Sequence, residues 1–405
     1  MKITKENKGI QPNGVEWIYQ AQDQYSDRGK PYEQYNDTFK KYENFRDKFD
    51  QLTQKEQDDI INEIFEIYRG VNIYPIAYYT KEGYQREIMK LYNRQEEYDG
   101  KILKNNATLG VSLCNWTHPI AHTIYRLRNN DCLLDRFYDD TLLKRAVRGS
   151  LRTRRSVAPC NVRGIMTLMG ATPSNFKPFS AQLVIERYTP TNGVYFDSSQ
   201  GLGGRLLGCL TSQKNIKYIG VDPWREANIC NNKLGQYCEE TLCKSNSYKL
   251  FQIGSEKAKF SNEAIADFSF TSPPYFDCEQ YTNDPTQCYI AYPQLSKWIT
   301  NFCGMTIKNT YNILKPGAFY VVDIADFTHN KVKFNYIDTW KTLALQIGFE
   351  YINTSYMMLS PRVGNYSNVA RKRDVDNAKL ETMLVFRKPL DMNNFANNVK
   401  VEVDY

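Results

Sequence analysis

"GVYFDSSQGLGGRLLG", residues 193–208, reads as a short apolar strand ending at Asp197, then a turn carrying Gly201, Gly203 and Gly204, then a helix. Glycine permits the tight backbone turn and the close approach of a ligand that such a junction can require. A strand delivered through glycines into a helix is the opening unit of a parallel α/β sheet. Taken alone, the turn is as readily an ordinary strand–helix connection as a nucleotide-type site.

The pattern continues outward from it. "IKYIGVD" (216–222), "YKLFQI" (248–253), "ADFSFT" (266–271) and "AFYVVDIAD" (318–326) read as further buried strands, with a long helical segment over 291–313. "FEYINTSYMML" (349–359) and "ETMLVFRK" (381–388) read as the last two strands. Strands alternating with helices predict a mostly parallel, doubly wound sheet, with helices on both faces. Asp222 ends the second strand about 20 residues past the glycines, where a ribose-binding acid stands in such folds. The G-x-G-x-x-G spacing and a P-loop lysine are both missing. A ligand with a ribose and no pyrophosphate fits; S-adenosylmethionine is one. Asp197, at the first strand tip, is read as an acceptor for an amino group.

"TSPPYF" (271–276) closes the fourth strand. Proline has no amide donor, so the ladder stops there and the loop stiffens while its carbonyls can still accept. Ser272 adds a hydroxyl and Tyr275 a flat ring. In an open α/β sheet, ligands bind beyond the carboxyl ends of the strands. Ser272 and the Pro273 carbonyl could accept the two hydrogens of an exocyclic amine, with Tyr275 stacked on its ring.

Together with the glycine turn, this segment resembles the amino-methylating DNA methyltransferases, over roughly residues 175–388. "SNFKPFSAQLVIERY" (174–188) is similar to their methionine-side motif, and the 292–324 stretch to their helix and fifth strand. The resemblance implies a Rossmann-like class I methyltransferase fold with S-adenosylmethionine as cofactor and DNA as partner. It also implies transfer of a methyl group to cytosine N4 or adenine N6 of a flipped base. Serine at 272, in place of the commoner Asp or Asn, leans toward cytosine N4. The implied catalytic residues are Ser272, Pro273, Pro274 and Tyr275. The implied cofactor residues are Phe176, Lys177, Asp197, Gly201, Gly203 and Asp222. An acid that often contacts the cofactor adenine is replaced by Ser255, with Glu256 as substitute. The acidic run "DCEQYTNDP" (277–285) reads as a loop over the site. Two alternatives keep the fold: methylation of RNA bases or of protein glutamine, and a non-catalytic nucleic-acid-binding subunit. Restriction–modification is the setting the resemblance suggests.

Residues 1–170 read as a mainly helical N-terminal domain and candidate target reader, 171–390 as the catalytic domain, and 391–405 as a tail. The aromatic spacing over 38–69 predicts two packed helices with a break near Leu52 and Thr53, and 80–98 a polar helix. Residues 141–163 hold seven cations and no acid after Thr141. Such a run is either a solvated face or a phosphate contact, and the second reading assigns Arg148, Arg152, Arg154 and Arg155 to nucleic acid. Arg371 and Lys372, in the loop 360–379, join them.

The net charge of +7 suits an acidic partner without requiring one. Ten scattered cysteines without a C-x-x-C pair argue for reduced thiols, and Pro119 stands where a zinc helix of "THPIAH" needs its glutamate, so no metal is expected. "MKITKENKGI" lacks the apolar segment of a signal peptide, and no apolar run is long enough to cross a bilayer. The expectation is a cytoplasmic protein with no membrane partner; a homodimer stays open.

Overall fold

A computed structural model describes residues 31–104, 107–124, 131–153, 156–169, 175–260, 264–278, 280–358 and 380–390. The chain divides into two units, one of Met1–Arg86 with Asn115–Ser174 and one of Glu87–Cys114 with Asn175–Tyr405.

The second unit is built on an eight-stranded sheet. Its strands are β1 (Ile102–Leu103), β2 (Val194–Asp197), β3 (Lys217–Val221), β4 (Tyr248–Phe251), β5 (Ala266–Thr271), β6 (Leu314–Ile324), β9 (Glu350–Met358) and β10 (Leu380–Arg387). A small hairpin, β7 (Phe327–His329) and β8 (Val332–Phe334), stands apart from it. The order across the sheet is β1-β9-β10-β6-β5-β2-β3-β4. Every pairing is parallel except those of β10, which runs antiparallel to both β6 and β9. The strand–helix alternation predicted this mostly parallel, doubly wound sheet, and the order with β10 antiparallel is that of the Rossmann-like class I methyltransferase fold which the resemblance implied.

Helices α1 (Pro178–Tyr188), α2 (Gly204–Leu210), α3 (Arg225–Leu242), α4 (Met305–Ile313) and α5 (Tyr336–Ile347) pack on the sheet. One apolar layer gathers Phe196, Val221, Trp298, Tyr320, Val322, Tyr336, Trp340 and Phe386. The opposite face carries Tyr195, Tyr218, Phe268, Phe270, Val321 and Met383, all buried. Both faces are covered, so the strands read as near-continuous apolar runs and not as alternating ones.

The β7–β8 hairpin and one strand of the large sheet went unrecognised in the sequence. Residues 87–114, expected in the N-terminal domain, belong to the sheet unit, where β1 pairs with β9 through Ile102↔Tyr356 and Leu103↔Met357. Two residues carry no period of their own, so only the pairing reveals them.

The first unit is helical. Residues 38–69, expected as two helices, form three: Asn36–Lys41, Arg46–Phe49 and Gln54–Val71. The break falls at Thr53, whose side chain accepts from the Glu56 amide while the Glu56 carboxylate accepts from the Thr53 amide. Phe39, Phe49, Ile61, Ile64 and Tyr68 are buried, so the aromatic stripe is core. The Tyr68 hydroxyl donates to Val157 O at 2.8 Å.

Candidate active site

The strand order reverses direction between β2 and β5. From β2 the chain builds outward to β3 and β4; from β5 it builds the other way to β6. The two strand tips touch: the Thr271 hydroxyl donates to Asp197 Oδ1 at 3.4 Å. The glycine turn and "SPPY" therefore leave the sheet side by side, at the crevice where open α/β sheets bind ligands.

Asp197 lies inside this junction. It is fully buried and held by Arg205 Nε at 2.8 Å, the Tyr218 hydroxyl at 3.0 Å and the Ser199 amide at 3.1 Å. Its oxygens already accept from these protein donors, so the turn and α2 are tied to the tip of β2. A buried carboxylate needs a cation and donors to stay ionised, and Arg205 from α2 supplies them. Asp197 fixes the turn through Arg205 and Ser199.

Asp222 is placed differently. It is half-buried, and its two oxygens accept the Gly201 amide and the Trp224 amide, each at 3.0 Å. Burial pushes its carboxyl up to about 6, against the two backbone donors that lower it. The carboxylate thus ties the glycine turn to the end of β3 and keeps lone pairs on its open side. Within the turn, Gly203 has φ +84°. A Cβ at Gly204 would stand 2.0 Å from the Phe176 carbonyl oxygen, so α2 starts against the "NFKPF" segment and only glycine fits. Phe176 meets the Phe270 ring of β5 edge-on at 5.4 Å, and Arg205 lies over its face at 5.5 Å. The structure thus brings Phe176, Gly201, Gly203 and Asp222 around one turn. Lys177, the next residue, is half-buried; burial lowers its ammonium's affinity for a proton, and the Glu381 charge opposes this.

At the end of β4 the two alternatives separate. The Ser255 hydroxyl is buried and shares a hydrogen bond of 2.7 Å with the Thr306 hydroxyl of α4, so it points into the core and not toward a ligand. Glu256 is also buried; its Oε1 has no hydrogen-bond donor but lies 3.8 Å from Lys257 Nζ. Burial raises its carboxyl. Burial raises the Cys288 thiol well above its ordinary value, and the Glu256 and Asp222 charges add to this. Tyr281, within the acidic run, reaches the Trp224 ring at 6.0 Å, so this part of the run lies near the start of α3.

In "SPPY", Ser272 is half-exposed, and its hydroxyl has no hydrogen-bond partner among the described residues. The Pro274 carbonyl accepts the Tyr336 hydroxyl at 3.2 Å. Tyr275 is half-buried, its ring edge-on to Tyr336 at 5.9 Å and to Phe327 at 6.2 Å. The next residue, Phe276, has φ +48° and is buried against Trp298. A non-glycine residue held in the left-handed region is uncommon and marks a turn fixed by its surroundings. Asp277 pairs with His329 at 3.1 Å, clipping the turn to the β7–β8 hairpin. The clamp formed by Tyr336, Phe327 and His329 was not legible beforehand, since each lies more than fifty residues from the motif.

The basic run behaves unlike its sequence. Arg148 pairs with Asp58 at 2.6 Å, Arg152 with Asp50 at 3.1 Å, and Lys144 sits over the Phe65 ring at 4.6 Å. The counter-charges missing locally come from helices ninety to a hundred residues earlier. Arg154, Arg155, Arg371 and Lys372 lie outside the described residues. Among the described residues no group of three metal-binding side chains occurs, and no helix is long and apolar enough to cross a membrane.

No family profile matches the chain, and no curated protein does. Among solved structures it is similar to the [4+2]-cyclase SpnF, at TM-score 0.36 and 12% identity over 54% of this chain and 85% of that one. A SAM-dependent methyltransferase from Methanosarcina mazei gives TM-score 0.33 and 14% identity over 51% of this chain and 98% of that one. TrmN from Thermus thermophilus gives TM-score 0.34 and 12% identity over 53% and 49%. Likenesses this distant say nothing of substrate; the description of the site rests on its own geometry.

Proposed function

We propose that this chain is an S-adenosylmethionine-dependent methyltransferase acting on the exocyclic amine of a base flipped out of DNA, cytosine N4 before adenine N6. The observation that carries the reading is the adjacency of two features at the switch point. One is Asp222 with its glycine turn; the other is the "SPPY" loop with an unpartnered Ser272 hydroxyl and a clamped Tyr275.

The residues fit the cofactor. Asp222 has open lone pairs for a ribose diol, Glu256 has a carboxylate oxygen without a hydrogen-bond donor for an adenine amine, and the turn itself demands glycine. The bound cofactor would supply an activated methyl group. An aromatic amine is a poor nucleophile because its lone pair is delocalised into the ring. Ser272 and the Pro273 carbonyl, accepting its two hydrogens, hold the nitrogen toward tetrahedral geometry and aim the lone pair. The Pro274 carbonyl is already engaged by Tyr336, which leaves that role to its neighbour. Tyr275 offers a ring face for stacking. The rate advantage is mainly positioning.

The test is transfer of labelled methyl from S-adenosylmethionine to DNA, RNA and protein offered in parallel, followed by base analysis of the product. Label in DNA N4-methylcytosine supports the reading. Label only in RNA, or only in glutamine, would replace the substrate; no label in any would remove the enzymatic reading.

A further inference from the structure

Asp323 has no part in the chemistry described so far. It is the penultimate residue of β6, set in the apolar run "FYVVDI", and is only 2% exposed. Its Oδ1 has no hydrogen-bond partner. A buried carboxyl without a partner is costly, and one kept in an apolar strand calls for an explanation.

Its direction follows from the register. Val322 and Ile324 belong to the layer around Trp298, so Asp323 faces the other side of the sheet with Val321. Val321 pairs with Phe270, whose ring meets Phe176. Asp323 therefore stands beyond Phe270 on the face of Phe176 and α2. On the antiparallel neighbour it pairs with Met383, and Glu381, two residues along β10, shares that face. Thr271 pairs with Val322, which sets Asp323 level with the start of "SPPY".

The charged groups facing Asp323 are Glu381 from β10 and Arg205 from α2, and Lys177 faces Glu381. Arg205 is engaged at Asp197, 2.8 Å away. Two acids thus converge where the nearest guanidinium already serves another carboxylate. Burial and the Glu381 charge raise the Asp323 carboxyl well above the usual carboxylate range, against Arg205, so its ionised form is disfavoured unless a further cation stands beside it.

We propose that Asp323, with Glu381 beside it, is an acidic subsite that receives the α-ammonium at the amino-acid end of the cofactor. This rests on the S-adenosylmethionine reading. Asp222 ends β3 and Asp323 lies on β6, three strand spacings away across β2 and β5, or about 14 Å between backbones. The strands that carry these acids flank β2 and β5, whose tips meet at the crevice, and this span suits the ribose and the amino-acid end of one extended ligand. On binding, the ammonium displaces the carboxyl proton: the proton leaves to solvent, and an N–H⁺···O⁻ contact forms in its place. Binding tightens as pH rises, because the proton competes with the ligand.

The experiment is calorimetric and needs no turnover. S-adenosylhomocysteine and 5′-methylthioadenosine, which lacks the amino-acid end, are titrated into wild type and Asp323→Asn in two buffers of different ionisation enthalpy. Asp323→Asn is expected to bind S-adenosylhomocysteine at least tenfold more weakly, with the buffer-dependent heat reduced, and to bind methylthioadenosine as wild type does. Retained binding of the methylthioadenosine also shows that the variant is folded; should it not fold, Glu381→Gln takes its place, with the same pattern expected in reduced degree. Equal affinity of variant and wild type for S-adenosylhomocysteine would overturn the subsite. So would equal losses for both ligands. Wild type that binds neither nucleoside overturns the cofactor reading and the subsite together, whereas binding of both with no effect at Asp323 removes the subsite alone.

Discussion

The Tyr336 hydroxyl donates to the Pro274 carbonyl at 3.2 Å, joining the first turn of α5 to the middle of "SPPY". The bond spans 62 residues of sequence and holds the loop whose carbonyls the chemistry needs. Tyr336→Phe keeps the buried ring and removes the donor. A typical hydrogen bond is worth about 0.5–1.5 kcal/mol, so transfer should slow by roughly twofold to tenfold. Cofactor affinity should be unchanged, because the bond lies on the base side. Single-turnover methylation beside cofactor titration measures both; equal losses in the two would mean general unfolding.

Tyr275 and Ser272 separate stacking from aiming. Tyr275→Ala removes the ring face and should cost about 1–3 kcal/mol in base capture, while Tyr275→Phe retains most activity. Ser272→Ala should slow transfer without weakening the cofactor. If Tyr275→Phe proves as inactive as Tyr275→Ala, the hydroxyl matters and stacking is the wrong account.

Asp222 sets a pH dependence. Its carboxyl is pushed up to about 6, so it is ionised above that pH and protonated below it. A ribose diol is bound best by the ionised form. Cofactor affinity should fall as pH is lowered through about 6, and methylthioadenosine isolates this effect because it cannot reach Asp323. Asp222→Ala should lose roughly 1.5–3 kcal/mol of affinity at pH 8, the scale of a hydrogen bond to a charged group, and flatten the profile. A steep profile that survives in the variant would assign the titration to another group.

Gly204 can be tested without any ligand. Its added Cβ would meet backbone, the Phe176 carbonyl oxygen at 2.0 Å, and backbone cannot step aside as a side chain can. Gly204→Ala should destabilise by about 1–3 kcal/mol through overpacking, read by denaturant unfolding. An unchanged midpoint would mean that the junction of α2 and Phe176 is looser than described.

Arg148 and Arg152 are expected to contribute little to nucleic-acid binding. Each is already paired, with Asp58 and Asp50. A free arginine on duplex phosphate contributes about 0.9 to the slope of log affinity against log salt. Replacing either by Ala should leave that slope nearly unchanged and, as for surface ion pairs generally, cost at most about 1 kcal/mol of stability. A fall of about 0.9 for either arginine would show that the pair opens to meet phosphate.

The local signals decided a great deal. Apolar runs at alternating intervals with helices were enough for β2 to β6, β9 and β10; β2, β3, β5 and β6 read most clearly because strands buried on both faces are apolar along their length, whereas β4 and β9 are only partly buried. Glycines, prolines and the acid after "YIGV" marked the crevice, because each restricts the backbone or carries its charge wherever the chain goes. Tertiary structure decided what those groups do. Asp197 and Asp222 look alike at two strand tips, yet Arg205 commits the first to the interior while the second keeps an open side. Ser255 and Glu256 are neighbours, and only Thr306, fifty-one residues on, shows which of them is spent. In the basic run, Arg148 and Arg152 find counter-charges in Asp58 and Asp50, and β1 exists only by pairing with β9. Hydrogen bonds and ion pairs act over about 3 Å whatever the separation along the chain, so a group's partners, and with them its charge and availability, are fixed only when the chain has closed.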